Sequence, residues 1–157
     1  MPSKNFWILL PTALLLTAAL SAQMAPTLTV APIPTVKVKK GGSAVVSLKA
    51  SLPAGYHANS NKPTEAYLIP LTLKWTGGPL RLETISYPKP TMEKYSFSEK
   101  PLSVVTGEFA IATTFKAPAD AQSGPASQTG TLRYQACDNR ACYPPKNVPV
   151  SVVVSVE

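Results

Sequence analysis

The chain is poor in the side chains that carry most acid–base and metal chemistry: one histidine, two cysteines and eight Asp or Glu among 157 residues. Structural zinc takes four ligands, which two thiols and the single His57 do not supply, so no metal is expected. His57 sits in no motif that would pair it with a nucleophile, so no hydrolase constellation can be assembled, and nothing in the sequence calls for a cofactor. Helical periodicity is absent from every long window, and prolines at 63, 70, 79, 88, 90, 101, 118 and 125 would break a helix there. Beyond the first twenty or so positions no apolar run is long enough to span a bilayer.

The N-terminus carries the one long apolar stretch. Lys4 provides a positive start, 6–20 is almost wholly apolar, and Leu20-Ser21-Ala22 offers small residues for signal peptidase, the pattern of a secretory signal over 1–22. The stretch contains Pro11 and is shorter than the roughly 20 residues of a spanning helix, which leaves a retained anchor as the alternative. No cysteine lies near the cleavage region, so a lipidated N-terminus is not expected. The expectation is an exported, soluble periplasmic protein with one domain at 23–157, large enough to build a core without several disulfides.

The 17 prolines and 8 glycines are spread between short β-branched runs, as turn punctuation and not as a disordered tract. The net charge is +7, from 15 Lys or Arg, but the lysines are scattered. The densest group, Val36-Lys37-Val38-Lys39-Lys40, alternates like a solvated strand face and lacks interleaved aromatics, so nucleic-acid binding is not expected. Alternation predicts strands at 35–39, 44–50, 68–75, 81–86, 108–115, 131–136 and 148–156. Val46, Leu48 and Ala50 share one face, as do Val148, Val150, Val152, Val154 and Val156. Some seven short strands with turns between them predict an all-β, immunoglobulin-like antiparallel β-sandwich. Two stretches read as non-strand, 55–66 and 87–101; the second is long for a hairpin connection and carries Tyr95 and Phe97, the marks of a functional loop.

The cysteines stand at C-x4-C spacing in Tyr134-Gln135-Ala136-Cys137-Asp138-Asn139-Arg140-Ala141-Cys142-Tyr143-Pro144-Pro145. Asp138 and Asn139 are turn formers, so a strand entering Cys137, a short turn and a return at Cys142 would oppose the two sulfurs. Opposed antiparallel residues have Cα atoms about 4.5–5.5 Å apart, within reach of a disulfide. Such a bond reads either as a structural staple or as an exchangeable pair. A short loop gives a staple little entropic leverage, on the order of 2 kcal/mol, whereas an accessible bond at a hairpin end is open to exchange. Arg140 and Lys146 would favour a thiolate and Asp138 would oppose it.

The segment Tyr134-Gln135-Ala136-Cys137 through Cys142-Tyr143-Pro144-Pro145 is similar to the YQxC…CxPP hairpin of the N-terminal periplasmic domain of DsbD-type thiol:disulfide interchange proteins. Further resemblance lies in Pro53-Ala54-Gly55-Tyr56-His57-Ala58-Asn59-Ser60 leading to Leu68-Ile69-Pro70, and in Tyr95-Ser96-Phe97-Ser98-Glu99 leading to Gly107-Glu108-Phe109. The resemblance implies an immunoglobulin-like domain that passes electrons from a thioredoxin-like donor to periplasmic acceptor proteins. It implies Cys142 as the cysteine that forms mixed disulfides, Cys137 as the resolving one, and an aromatic cap loop around Tyr95 and Phe97. His57 and Tyr134 join these as site-lining candidates, with plain packing as their other reading. Full-length members continue into a multi-span membrane domain and a thioredoxin-like domain, neither present in this sequence. A carrier of this form is expected to work in trans with a separate thioredoxin-like protein or membrane thiol reductase. The rival expectation is a non-catalytic binding module whose disulfide fixes a recognition loop.

Overall fold

A computed structural model describes residues 26–157; the expected signal peptide over 1–22 lies outside the described residues. Twelve strands make three four-stranded sheets. The first sheet runs β1 (Thr29–Val30), β3 (Ser43–Ser51), β9 (Glu108–Lys116), β6 (Arg81–Ser86) in spatial order. The second runs β2 (Val36–Val38), β12 (Lys146–Val156), β10 (Gly124–Tyr134), β5 (Thr72–Gly77). The third runs β11 (Ala136–Cys137), β4 (His57–Asn59), β8 (Leu102–Thr106), β7 (Thr91–Glu93). Every pairing is antiparallel except β2 with β12, which is parallel.

Alternation builds the first two sheets. In β3 the side chains of Val46, Leu48 and Ala50 are buried while Ser47 and Lys49 are exposed, because successive residues of a strand point to opposite faces. The strand pairs with β9 from Ser43↔Lys116 to Ser51↔Glu108, which sets Leu48 opposite Ile111. On the facing sheet Val150, Val152, Val154 and Val156 are buried, and Val153 is turned outward. One core cluster joins Val38, Val46, Phe115, Val152 and Val154. Within it Trp75 meets Phe115 edge-on at 5.2 Å, and its indole N–H donates to the buried Thr113 hydroxyl at 3.1 Å. The chain is thus an all-β, immunoglobulin-like sandwich.

The third sheet closes one end of this sandwich. Ala58, Val105 and Ala136 turn inward and join Leu48, Leu73, Ile111 and Leu132 in the second core cluster. Strands β4 and β7 occupy the stretches read as non-strand, and β8 and β1 were not expected either. Conversely, only 72–77 of the region around the expected 68–75 strand is extended. A three-residue strand buried throughout, as β4 is, shows no alternation. Gly107 marks the passage from β8 to β9: it is the single residue between them, at φ 56°, a left-handed conformation that glycine adopts without steric cost.

Candidate functional site

The long β10–β12 hairpin carries the cysteines beyond its regular ladder. Its register ends at Tyr134↔Lys146. Pro144 and Pro145 then bring no N–H to the ladder, and the Gln135 side chain takes over, its Nε2 donating to the Tyr143 carbonyl at 3.2 Å. The Gln135 Oε1 accepts from Asn59 Nδ2 and from the Ile69 N–H, both at 3.1 Å, so one amide ties the hairpin to β4 and to the following loop. Past this point the chain leaves the second sheet and enters the third as β11.

The turn follows the logic of its Asp. Asp138 Oδ1 accepts from the N–H groups of Arg140 at 2.7 Å and Ala141 at 2.9 Å, and the Asp138 N–H donates to the Ala141 carbonyl. The Tyr143 hydroxyl donates to Asp138 Oδ2 at 3.0 Å. The two backbone donors, ahead of the other contributions, hold the Asp138 carboxyl below its ordinary 3.8. Its hydrogen bond with Asp138, then burial, pushes the Tyr143 phenol up to about 12. Cys137 and Cys142 face each other across this turn as an antiparallel bridge, joined by a disulfide, with Cα atoms 3.9 Å apart.

The two sulfurs differ in environment. Cys137 is 0% exposed, whereas Cys142 is half-buried and packs on a third apolar cluster of Leu68, Tyr95, Leu102 and Val104, with Phe97 at its margin. The rings of this cluster form a stack: His57 to Tyr95 at 4.0 Å between centroids, Tyr95 to Phe97 at 5.6 Å, both nearly parallel. Residues 94–101 hold this loop down. Ser96 Oγ donates to the Asn139 carbonyl of the cysteine turn at 2.7 Å, Lys94 Nζ donates to the Ser98 and Glu99 carbonyls, and Ser98 Oγ donates to the Lys100 carbonyl. The Tyr95 hydroxyl donates to Glu93 Oε2 at 2.7 Å; burial and this bond raise its pKa.

Of the residues singled out in the sequence, the structure brings Cys137, Cys142, His57, Tyr95 and Phe97 together. It does not place Tyr134 among them. That side chain is packed in the sandwich core, with its hydroxyl accepting from the Leu28 N–H at 2.9 Å and directed to the Pro26 carbonyl. Lys146, expected to favour a thiolate, instead reaches the Pro26 carbonyl and Thr27 Oγ1. Glu93, Ser96, Gln135 and Asn139 were not anticipated. Gln135 lay inside the recognised motif and Glu93 bonds Tyr95 only two residues on, but Ser96 and Asn139 meet across 43 residues, which no local pattern reports.

His57 is 2% exposed and stands directly opposite Cys137 in the β4–β11 pair. Burial pushes its imidazole below the ordinary 6.5, while the carboxylates of Glu93 and Asp138 act in the opposite direction. A surface cavity of about 300 Å³ is lined, among others, by Tyr56, His57, Glu93, Tyr95, Thr106 and Asn139. Among the described residues no group of three or more His, Cys, Asp or Glu is placed to hold a metal, and no helix is long and apolar enough to cross a membrane.

Comparison with known proteins bears on the fold and the family. No curated protein sequence matches the chain. Among solved structures it is similar to the N-terminal periplasmic domain of ScsB from Proteus mirabilis, at 15% identity and a TM-score of 0.53, over 80% of this chain and 44% of that one. It is also similar to the DsbD N-terminal domain of Neisseria meningitidis in its reduced form, at 21% identity and a TM-score of 0.48, over 83% and 84% of the two chains. The chain thus spans under half the length of the ScsB structure, and that likeness shows the fold alone. Residues 25–153 match the family described as thiol:disulfide interchange protein DsbD, N-terminal. The chain belongs to that family, and with its Cys137–Cys142 disulfide it is a thiol–disulfide interchange domain.

Proposed function

We propose that this domain is a periplasmic carrier of reducing equivalents between a thioredoxin-like donor or membrane thiol reductase and disulfide-bearing acceptor proteins, following export directed by residues 1–22. The observation that carries the reading is the unequal pair: a half-buried Cys142 under an aromatic loop, bonded to a fully buried Cys137. Exchange requires in-line access to one sulfur and protection of the other until it is needed. In the reduced domain the Cys142 thiolate attacks an acceptor disulfide and expels one acceptor thiolate. Cys137 then attacks Cys142, re-forming the internal disulfide and releasing the second acceptor thiol. The acceptor gains two electrons and the domain loses two. Tyr95 and Phe97 serve as a cap that must move aside for partner access, since Cys142 lies against their cluster.

The test is the reduction potential of the pair in the folded domain, by equilibration with glutathione buffers and thiol trapping. A carrier is expected between about −120 and −270 mV, with reduction by a thioredoxin-like protein in the folded state. A value below about −300 mV, with the bond untouched by such donors, would make the disulfide a staple and the domain a binding module.

A further inference from the structure

Resting on the carrier reading, we propose that His57 Nε2 is the proton acceptor for the Cys137 thiol in the resolving step, and returns that proton to the departing acceptor thiolate. Cys137 is fully buried, and a buried thiol is a poor nucleophile until its proton is removed. The residue that faces it is the chain's only histidine.

The placement follows from sheet register. Ala136↔Ala58 and Cys137↔His57 are consecutive pairs of β11 with β4. Both alanines point into the sandwich core. Cys137 and His57 therefore share the other face, the one covered by Tyr95, because neighbouring residues on paired strands alternate faces together. Directly opposed residues hold their Cβ atoms roughly 4.5–5.5 Å apart, a span that an imidazole and a thiol bridge.

His57 Nε2 is buried and has no hydrogen-bond partner among the protein's groups, one of two such side-chain atoms among the described residues. Buried acceptors normally have partners. The disulfide offers no donor, whereas reduction places an S–H directly across the strand pair, so the missing partner is the thiol the reaction creates. A base must also be neutral at working pH. The groups facing the ring are Tyr95 of the cap loop, Glu93 of β7, Asp138 of the turn, and Cys137 and Thr106 of the adjacent strands. Burial outweighs the two carboxylates and holds the ring neutral near pH 7. His57 is also among the residues that line the surface cavity beside Tyr56 and Asn139.

The step balances. The Cys137 S–H bond breaks, its proton moves to His57 Nε2, and the Cys137 sulfur displaces the acceptor sulfur from Cys142. The acceptor leaves as a thiolate and takes the proton from the imidazolium. Two electrons end on the acceptor and His57 returns to neutral.

The experiment uses the chemically reduced domain without a histidine tag and an aromatic disulfide that releases a chromophoric thiolate. Attack by Cys142 gives a first phase and resolution by Cys137 a second. In wild type the second phase is expected to level off above a titration lying below pH 6.5, that of His57. In His57→Phe, which keeps a ring for Tyr95 to stack on, it should be about tenfold or more slower near pH 7 and rise steadily with hydroxide. The first phase should be unchanged. Because the wild-type chain has a single histidine, its imidazole nitrogen signals read the same question without any variant: Nε2 is expected to shift on reduction toward a hydrogen-bonded position. An unchanged second phase and pH profile in His57→Phe, or a Nε2 signal indifferent to the redox state, would overturn the proposal. Failure of thioredoxin-like donors to reduce the folded wild-type disulfide would instead strike the carrier reading, while the second phase still reports on His57.

Discussion

The body of the sandwich and the sheet that closes its end are built on different terms. In the body, β3 with β9 and β10 with β12 pair over nearly their whole lengths, and alternating side chains bury one face. In the end sheet the strands are two, three or five residues long. Beside the apolar clusters that take in Ala58, Val105 and Ala136 and, separately, Leu102 and Val104, specific polar contacts hold them: the Gln135 amide, the Asx turn at Asp138, and the Ser96 bond to Asn139. Broad apolar burial yields a rigid frame, whereas short strands joined by a few hydrogen bonds open at lower free energy. The disulfide is placed on the second kind of structure and anchored to the first through Ala58, Val105 and Ala136.

That contrast can be broken at either end. Phe115→Ala, in the body, is expected to lower stability by about 3–5 kcal/mol through lost burial and the cavity left behind, with the pair's potential in the remaining folded molecules unchanged; denaturant unfolding and thiol trapping check both. Tyr134→Phe should cost about 1–3 kcal/mol by stranding the Leu28 N–H. If it also altered thiol reactivity, the separation of core and site would be wrong for that residue. On the end sheet, Tyr95→Ala removes a stack worth about 0.5–1.5 kcal/mol, which would raise the open fraction of the cap about 2- to 12-fold. Alkylation of reduced Cys142 should accelerate by that factor; an unchanged rate would mean the loop does not gate access.

The smallest effect is expected at the turn. Asp138 has a folded pKa below its unfolded value, so its contribution is fully present above that unfolded value, near 3.8, and is lost as pH falls through the folded pKa. Asp138→Asn should therefore flatten the local acid-induced opening of 138–143, read by amide exchange, and leave global unfolding nearly untouched. An Asn variant with wild-type acid sensitivity would show that the carboxylate does not hold the turn.

The sandwich was readable because alternation is local. The buried Val46, Leu48 and Ala50 and the stripe along β12 follow directly from side chains two apart. The cysteine hairpin was readable too, since Asp138 and Asn139 announce a turn between residues close in sequence. The end sheet was not. His57, Ala58 and Asn59 are all buried and show no period, and their partners lie at 102–106 and 136–137. Tyr134 stood beside Cys137 in a recognised motif, yet alternation along β10 turns it into the core with Leu132.

Patterns spanning a few residues thus determined the all-β architecture and the position of the disulfide. Only the folded chain decided that His57 faces Cys137, that Tyr95 lies on His57, and that Cys142 is half-buried while its partner is not. Those relations join segments some forty to eighty residues apart. They arise from strand register and from packing against the end of the sandwich, neither of which leaves a period in the sequence.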